Sequence, residues 1–256
     1  MPGIRFPATW QPGEQHLAGR VIVVTGAYGG LGSAVARAAA RAGATVIITG
    51  KRKRQLEQLY DAMLAESLAE PIIHPLDMEV ATPRDYTAMA EGIERDFGRL
   101  DGIVHAATSF AGLTPLAMHK PDDWLRALHV NVSAPFALTQ ACMPLLQQAP
   151  DSAAVFVLDN PDLLVRAHWG AYGVSKAALE RFVEILHQET DTSPLRVHAL
   201  LPAPMRTAVR RQAYFGEDTN IHPLPDATAI AAVYLLSADG APARGKILDL
   251  RPELSA

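Results

Sequence analysis

Tyr172 and Lys176, in the stretch WGAYGVSKAALERF, stand four residues apart just after a glycine-containing loop, a spacing that suits proton transfer. A free phenol has a pKa near ~10 and is a poor base at neutral pH. A lysine ammonium one helical turn away stabilises the phenolate and lowers that value. Upstream, the apolar run AAVFVL ends in Asp159 and Asn160. A second site of chemistry lies in RVIVVTGAYGGLGSAVARAAARAG, where an apolar run meets Gly26, Gly30 and Gly32 and then a helical pattern. Glycine there permits a tight turn and close backbone approach, and a helix N-terminus offers N–H groups to a pyrophosphate. The alternative is a purely structural turn.

Both sites need elements to hold them. Strand candidates are 20–25, 44–49, 71–76, 100–106, 153–158, 196–201 and 246–250, each a short apolar run. Helical stretches such as SAVARAAARAG, QLEQLYDAMLAE, YTAMAEGIERDFG, PFALTQACMPLLQQ and SKAALERFVEILHQE separate them. Seven continuous apolar strands alternating with helices imply right-handed βαβ units and a parallel sheet covered on both faces. Residues 1–18, rich in Pro and Gly, read as an N-terminal arm, docked through Phe6 and Trp10. Residues 19–256 read as one domain. The irregular segment 202–226 follows the sixth strand, at the end of the sheet where α/β folds build ligand sites.

With 256 residues, 49% hydrophobic and 20% charged, the chain has an ordinary globular composition. A net charge of −4 and 6% aromatic residues give no footprint for nucleic acid or an anionic membrane. The one cysteine, Cys142, excludes an internal disulfide and reads as a small buried helix residue. No apolar run approaches a membrane span, and the first residues lack a secretory pattern, so the expected location is cytoplasmic. Nine histidines show neither His-x-x-x-His nor HExxH spacing, so no metal is expected. Arg206, Arg210 and Arg211 make a basic face that is either solvated or turned to an anionic substrate or cofactor phosphate.

TGAYGGLG resembles the cofactor loop of the short-chain dehydrogenase/reductase superfamily, and four further segments resemble that family in the same order. LDGIVHAAT stands at its Asn-Asn-Ala-Gly strand end, HVNVSAPFALTQ at its Asn-bearing helix, AYGVSK at its Tyr-x-x-x-Lys motif and LLPAPMRT at its Pro-Gly-x-x-x-Thr segment. The resemblance spans about residues 19–250. It implies a Rossmann-type doubly wound sheet in three αβα layers, and a hydride passing between a nicotinamide dinucleotide and a carbonyl or alcohol. By it, Tyr172 is the acid/base, Lys176 also bonds the nicotinamide ribose, and Asn131 holds a relay water. Cofactor contacts would come from Thr25, Gly26, Tyr28, Gly30, Leu31 and Gly32 in the first loop, and from Asp77 and Met78 after the third strand. Ala106, Pro202 and Thr207 would complete them. The family also implies a homodimer or homotetramer.

Preference for NAD(H) needs a carboxylate at the end of the second strand, to accept from the ribose 2′-hydroxyl. Gly50 stands there, followed by Lys51, Arg52, Lys53 and Arg54, which favours NADP(H), with Lys51 and Arg52 the expected phosphate contacts.

Three positions depart from the family pattern. The serine expected thirteen residues before the tyrosine is Asp159, the Asn-Asn-Ala-Gly step is His105-Ala106-Ala107-Thr108, and the Pro-Gly step is Pro202-Ala203-Pro204. An ionised Asp159 offers no donor to a substrate oxygen and raises the pKa of Tyr172. Asp159 protonated by burial, the amide of Asn160, or a cationic or polyhydroxy substrate would each answer that loss. The chain is therefore read as an oxidoreductase with an altered site. The alternative is a catalytically weak dinucleotide binder acting as a sensor or oligomer partner.

Overall fold

The structure is a computed structural model that describes residues 1–252. Its strands are β1 (Gly3–Arg5), β2 (Val21–Thr25), β3 (Thr45–Gly50), β4 (Ile72–Pro75), β5 (Gly102–His105), β6 (Ser152–Val157), β7 (Leu195–Leu201) and β8 (Ile247–Asp249). The helices are α1 (Gly30–Arg41), α2 (Lys53–Ala65), α3 (Pro83–Phe97), α4 (Pro121–Leu128), α5 (Ala134–Gln148), α6 (Pro161–Leu164), α7 (Gly170–Thr190), α8 (Ala208–Ala213) and α9 (Asp226–Leu236). All strand pairs are parallel, in the order β1-β8-β7-β6-β5-β2-β3-β4.

Side chains alternate along each strand. Ile22, Val24, Ile48, Val104 and Val155 pack against α1, α2 and α9, while Val23, Ile47, Ile103, Ala154 and Phe156 pack against α3, α5 and α7. Burial on both faces is why these strands read as unbroken apolar runs. Cys142 is free and buried in α5. Among the described residues no helix is long and apolar enough to cross a membrane.

The sheet has eight strands rather than the seven expected. Gly3–Arg5, inside the N-terminal arm, pairs in parallel with Ile247–Asp249 and extends the sheet by one edge. Three residues are too few to show a strand period. The arm docks through its aromatic residues: Phe6 and Trp10 lie edge-on to Tyr234 of α9, at centroid distances of 5.6 and 5.2 Å. Trp10 also donates from Nε1 to Asp239 at 2.8 Å.

At the amino ends of the strands, Asp151 accepts from Arg196 Nε and Arg20 Nη2, both at 2.6 Å, and Arg196 is buried. Replacing Asp151 with Ala leaves both guanidinium groups without their anion. The expected loss is roughly 2–3 kcal/mol, the lower end of the range because Asp151 is partly exposed. A lowered urea midpoint with an unchanged slope checks it.

Candidate functional site

The carboxyl ends of β2, β3, β5, β6 and β7 open into one cleft of about 340 Å³. It is lined by Gly26, Tyr28, Gly30, Leu31, Gly32, Lys51, Asp77, Met78, Ala106, Asp159, Tyr172, Lys176, Pro202 and Thr207, residues separately singled out in the sequence. Thr25 and Asn131 are not in this lining but hydrogen-bond residues that are, and Arg52 lies outside it, beside the ring of Tyr28.

At the glycine end, β2 turns into α1 through a loop with little room for side chains. A Cβ on Gly26 would lie 2.7 Å from Ala107 Cα at a φ of +61°, and one on Gly32 would lie 2.3 Å from the Gly26 carbonyl. The first turn of α1 has no acidic residue, and no side chain caps Gly29, so its N–H groups are left for an anion. At Gly50 a Cβ would meet Tyr28 Cε1 at 2.6 Å, so the tyrosine ring covers the place where an acidic side chain would stand. Arg52 lies 6.0 Å from the centre of that ring, and Lys51 pairs with Glu79. All four cations are exposed, but Lys51 lines the cleft and Arg52 lies over Tyr28, whereas Lys53 pairs with Glu57 along α2 instead. Asp77 caps its own turn, accepting from the Glu79 N–H at 3.0 Å while still lining the cleft. The pieces present fit a dinucleotide: a glycine cradle at a helix start, with cations at the end of β3 and no carboxylate at Gly50.

At the other end, α7 begins at Gly170, which puts Tyr172 and Lys176 in its first two turns, both buried. The Tyr172 phenol donates to Asp159 Oδ2 at 2.8 Å. Asp159 Oδ1 accepts from the Asn160 N–H at 2.7 Å, so both carboxylate oxygens have a hydrogen-bond partner. The Asn160 side chain lines the cleft and is anchored through its carbonyl. Its carbonyl caps α6 through the Asp162 N–H at 3.1 Å and accepts from Arg251 Nη1 at 2.7 Å.

Lys176 donates to the Val157 carbonyl at 2.9 Å, and its nitrogen sits 5.7 Å from the centre of the Tyr172 ring. The expectation that Lys176 lowers the pKa of Tyr172 is not met. Burial first, and then the charge and hydrogen bond of Asp159, push the phenol well above its ordinary value. Burial pushes the Lys176 ammonium down to about 8, against a smaller opposing pull from Asp159.

Asn131 belongs to a π-turn, His129–Ser133, that joins α4 to α5. Pro135 has no N–H for the Asn131 carbonyl, its acceptor in a regular α-helix, so the backbone widens there. The Asn131 side chain clamps the loop after β5: Oδ1 accepts from Ser109 N at 2.7 Å and Thr108 Oγ1 at 3.2 Å, and Nδ2 donates to Ser109 O at 3.0 Å. From the other side, Thr25 Oγ1 accepts the N–H groups of Ala106 and Ala107 at 3.1 and 3.0 Å.

Several residues around the site were not reached from sequence. Tyr214 lines the cleft beside Trp169, and Phe110 packs behind them against Trp169 and Tyr172, with ring centres 5.1 to 6.2 Å apart. Arg210 pairs with Glu217 at 2.5 Å and stacks 4.1 Å over Tyr214, whereas Arg206 bonds the Asn220 and His222 carbonyls. Thr207 caps α8 by accepting from the Arg210 N–H at 3.2 Å. His168 is exposed and outside the lining.

Lys176 has a consequence for stability. Between its folded value of about 8 and its ordinary 10.5, the unfolded chain holds a proton that the folded chain has released, so stability rises with pH across that window. Below about pH 8 the buried ammonium costs up to about 3 kcal/mol, less about 1 for its bond to Val157. Lys176→Met should therefore raise Tm at pH 7 and lose that advantage by pH 10; an equal difference at both pH values would contradict this.

The family model for short chain dehydrogenase matches residues 20–217. The uncharacterised oxidoreductase YciK of Escherichia coli K12 is 33% identical over 95% of this chain and 96% of its own length. A short chain dehydrogenase structure from Salmonella enterica serovar Typhi superposes with a TM-score of 0.91 at 32% identity, covering 95% of this chain and 100% of that one. A structure from E. coli CFT073, assigned to the same class and complexed with NADPH, superposes with a TM-score of 0.90 at 34% identity, covering 94% and 100%. With a family model matched over most of its length and a relative that aligns nearly end to end, this chain belongs to the short-chain dehydrogenases.

Proposed function

We propose that this protein is an NADP(H)-dependent oxidoreductase that interconverts a carbonyl compound and its alcohol, with Tyr172 as the acid/base. The observation that carries this reading is the single cleft, with a glycine cradle at one end and the buried Tyr172 and Lys176 at the other. NADP, when bound, supplies or accepts the hydride. The loop from Gly26 to Gly32 would hold its pyrophosphate, Tyr28, Lys51 and Arg52 its 2′-phosphate, and Asp77 and Met78 its adenine. Lys176 would hold the nicotinamide ribose, with Ala106, Pro202 and Thr207 beside the ring. The NADPH complex of the E. coli CFT073 relative supports this choice.

The chain's own part is to hold and move a proton. Tyr172, kept neutral by burial and by Asp159, gives its phenolic proton to the carbonyl oxygen in the reductive direction. Asp159, accepting from that phenol, orients it, and the phenol recovers its proton from solvent. The aromatic wall of Trp169 and Tyr214, with Phe110 behind it, favours a flat, apolar substrate. We further propose a homo-oligomer, because Val174, Ile185 and Phe136 are exposed on α7 and α5.

NADPH oxidation with 9,10-phenanthrenequinone, an aromatic dicarbonyl, tests the reading. Turnover that Tyr172→Phe abolishes is expected, and a protein that binds NADPH but turns over no carbonyl would be a dinucleotide binder instead. Arg52→Ala should weaken NADPH about tenfold and leave NADH affinity unchanged, measured by nucleotide fluorescence; equal losses for both would move the 2′-phosphate site elsewhere.

A further inference from the structure

Carbonyl reduction needs a donor to the substrate oxygen besides Tyr172, and Asp159, at the serine position, supplies none. Both Asp159 oxygens accept, and the Asn160 side-chain carbonyl is held by α6 and Arg251. A carboxylate facing the oxygen would also oppose the negative charge that develops there.

The end of β5, the neighbouring strand, carries a hydroxyl. Thr108 stands where the family pattern has glycine, lines the cleft and is exposed into it. Its place is fixed from both sides: Thr25 holds the two preceding N–H groups, and Asn131 holds Ser109 through both its N–H and its carbonyl. The Thr108 hydroxyl itself rests on Asn131 Oδ1 at 3.2 Å, a longer bond than the 2.7 Å one that the same oxygen receives from Ser109 N. Turning the hydroxyl away thus leaves Asn131 Oδ1 satisfied. Thr108 lines the same cleft as Asp159 and Tyr172, so its hydroxyl opens on the space where an oxygen accepting the Tyr172 proton must sit.

We propose that the Thr108 hydroxyl replaces the missing serine and donates the hydrogen bond to the substrate oxygen. The inference rests on the carbonyl-reductase reading. Carbon receives the hydride from the reduced cofactor, oxygen receives the proton from Tyr172, and the phenol recovers a proton from solvent. Thr108 makes and breaks no covalent bond; it stabilises the charge on oxygen while hydride arrives. The donor has moved from one strand end to the next, and Asp159 has become a partner of the phenol.

The test is NADPH-dependent reduction of 9,10-phenanthrenequinone by wild type, Thr108→Val, Thr108→Ser and the double variant Thr108→Val/Asp159→Ser. Thr108→Val should lower kcat by roughly 10²–10³, with NADPH affinity within about twofold of wild type. Thr108→Ser should recover most of that loss, and the double variant part of it. A Thr108→Val rate within about threefold of wild type overturns the proposal and leaves the reductase reading intact. A wild type that binds NADPH without turnover defeats that reading and the proposal with it. A second readout needs no turnover: the ¹³Cζ resonance of Tyr172 in tyrosine-labelled protein, assigned by its loss in Tyr172→Phe. It should shift in Thr108→Val, and in Thr108→Ala should the valine fit poorly. An unmoved resonance means that Thr108 does not reach the phenol, and overturns the proposal.

Discussion

The hydrogen bond from the Tyr172 phenol to Asp159 is the contact around which the chemical end of this molecule is arranged. A buried phenol beside a carboxylate is a weak acid, because ionising it would place two negative charges side by side out of water. The lysine four residues on does not offset this. Its own ammonium is desolvated and turned to a backbone carbonyl of β6. Burial and the neighbouring carboxylate thus keep the proton on Tyr172.

Those neighbours are placed by parts of the fold that are hard to change. Asp159 lies two residues past the end of β6, a strand whose residues are all buried, and Leu158 between them is buried too, so Asp159 cannot move far from α7. Thr25 at the end of β2 and Asn131 in the π-turn grip the loop after β5 from opposite sides, and Gly26 lets that loop pass within contact of the cofactor cradle. One turn of widened helix and one missing side chain thus connect the nucleotide end of the cleft to its catalytic end.

Much of this was legible in the sequence, for physical reasons. Doubly buried strands write themselves as apolar runs, and the loop from Gly26 to Gly32 shows because backbone approaches backbone there and tolerates no Cβ. β1 did not show, since three residues carry no period and its partner, β8, lies at the other end of the chain. The spacing of Tyr172 and Lys176 gave their proximity but not their pKa values. Those depend on burial and on the carbonyl that Lys176 chooses, neither of which a spacing records. Thr108 reads in the sequence as the loss of a glycine. Only the fold, by bringing β5, β6 and α7 together, reads it as the gain of a hydroxyl. Likewise the sequence leaves Arg206, Arg210 and Arg211 as either a solvated face or an anion site, and does not show that Glu217 pairs with Arg210.

The most direct measurement is the pH dependence of kcat for carbonyl reduction, wild type beside Asp159→Asn. If the carboxylate holds Tyr172 in its protonated form, wild type should keep its rate past pH 10, and the isosteric variant should lose rate at a clearly lower pH. Superimposable alkaline limbs would show that Asp159 does not control the proton on Tyr172, and would contradict the account.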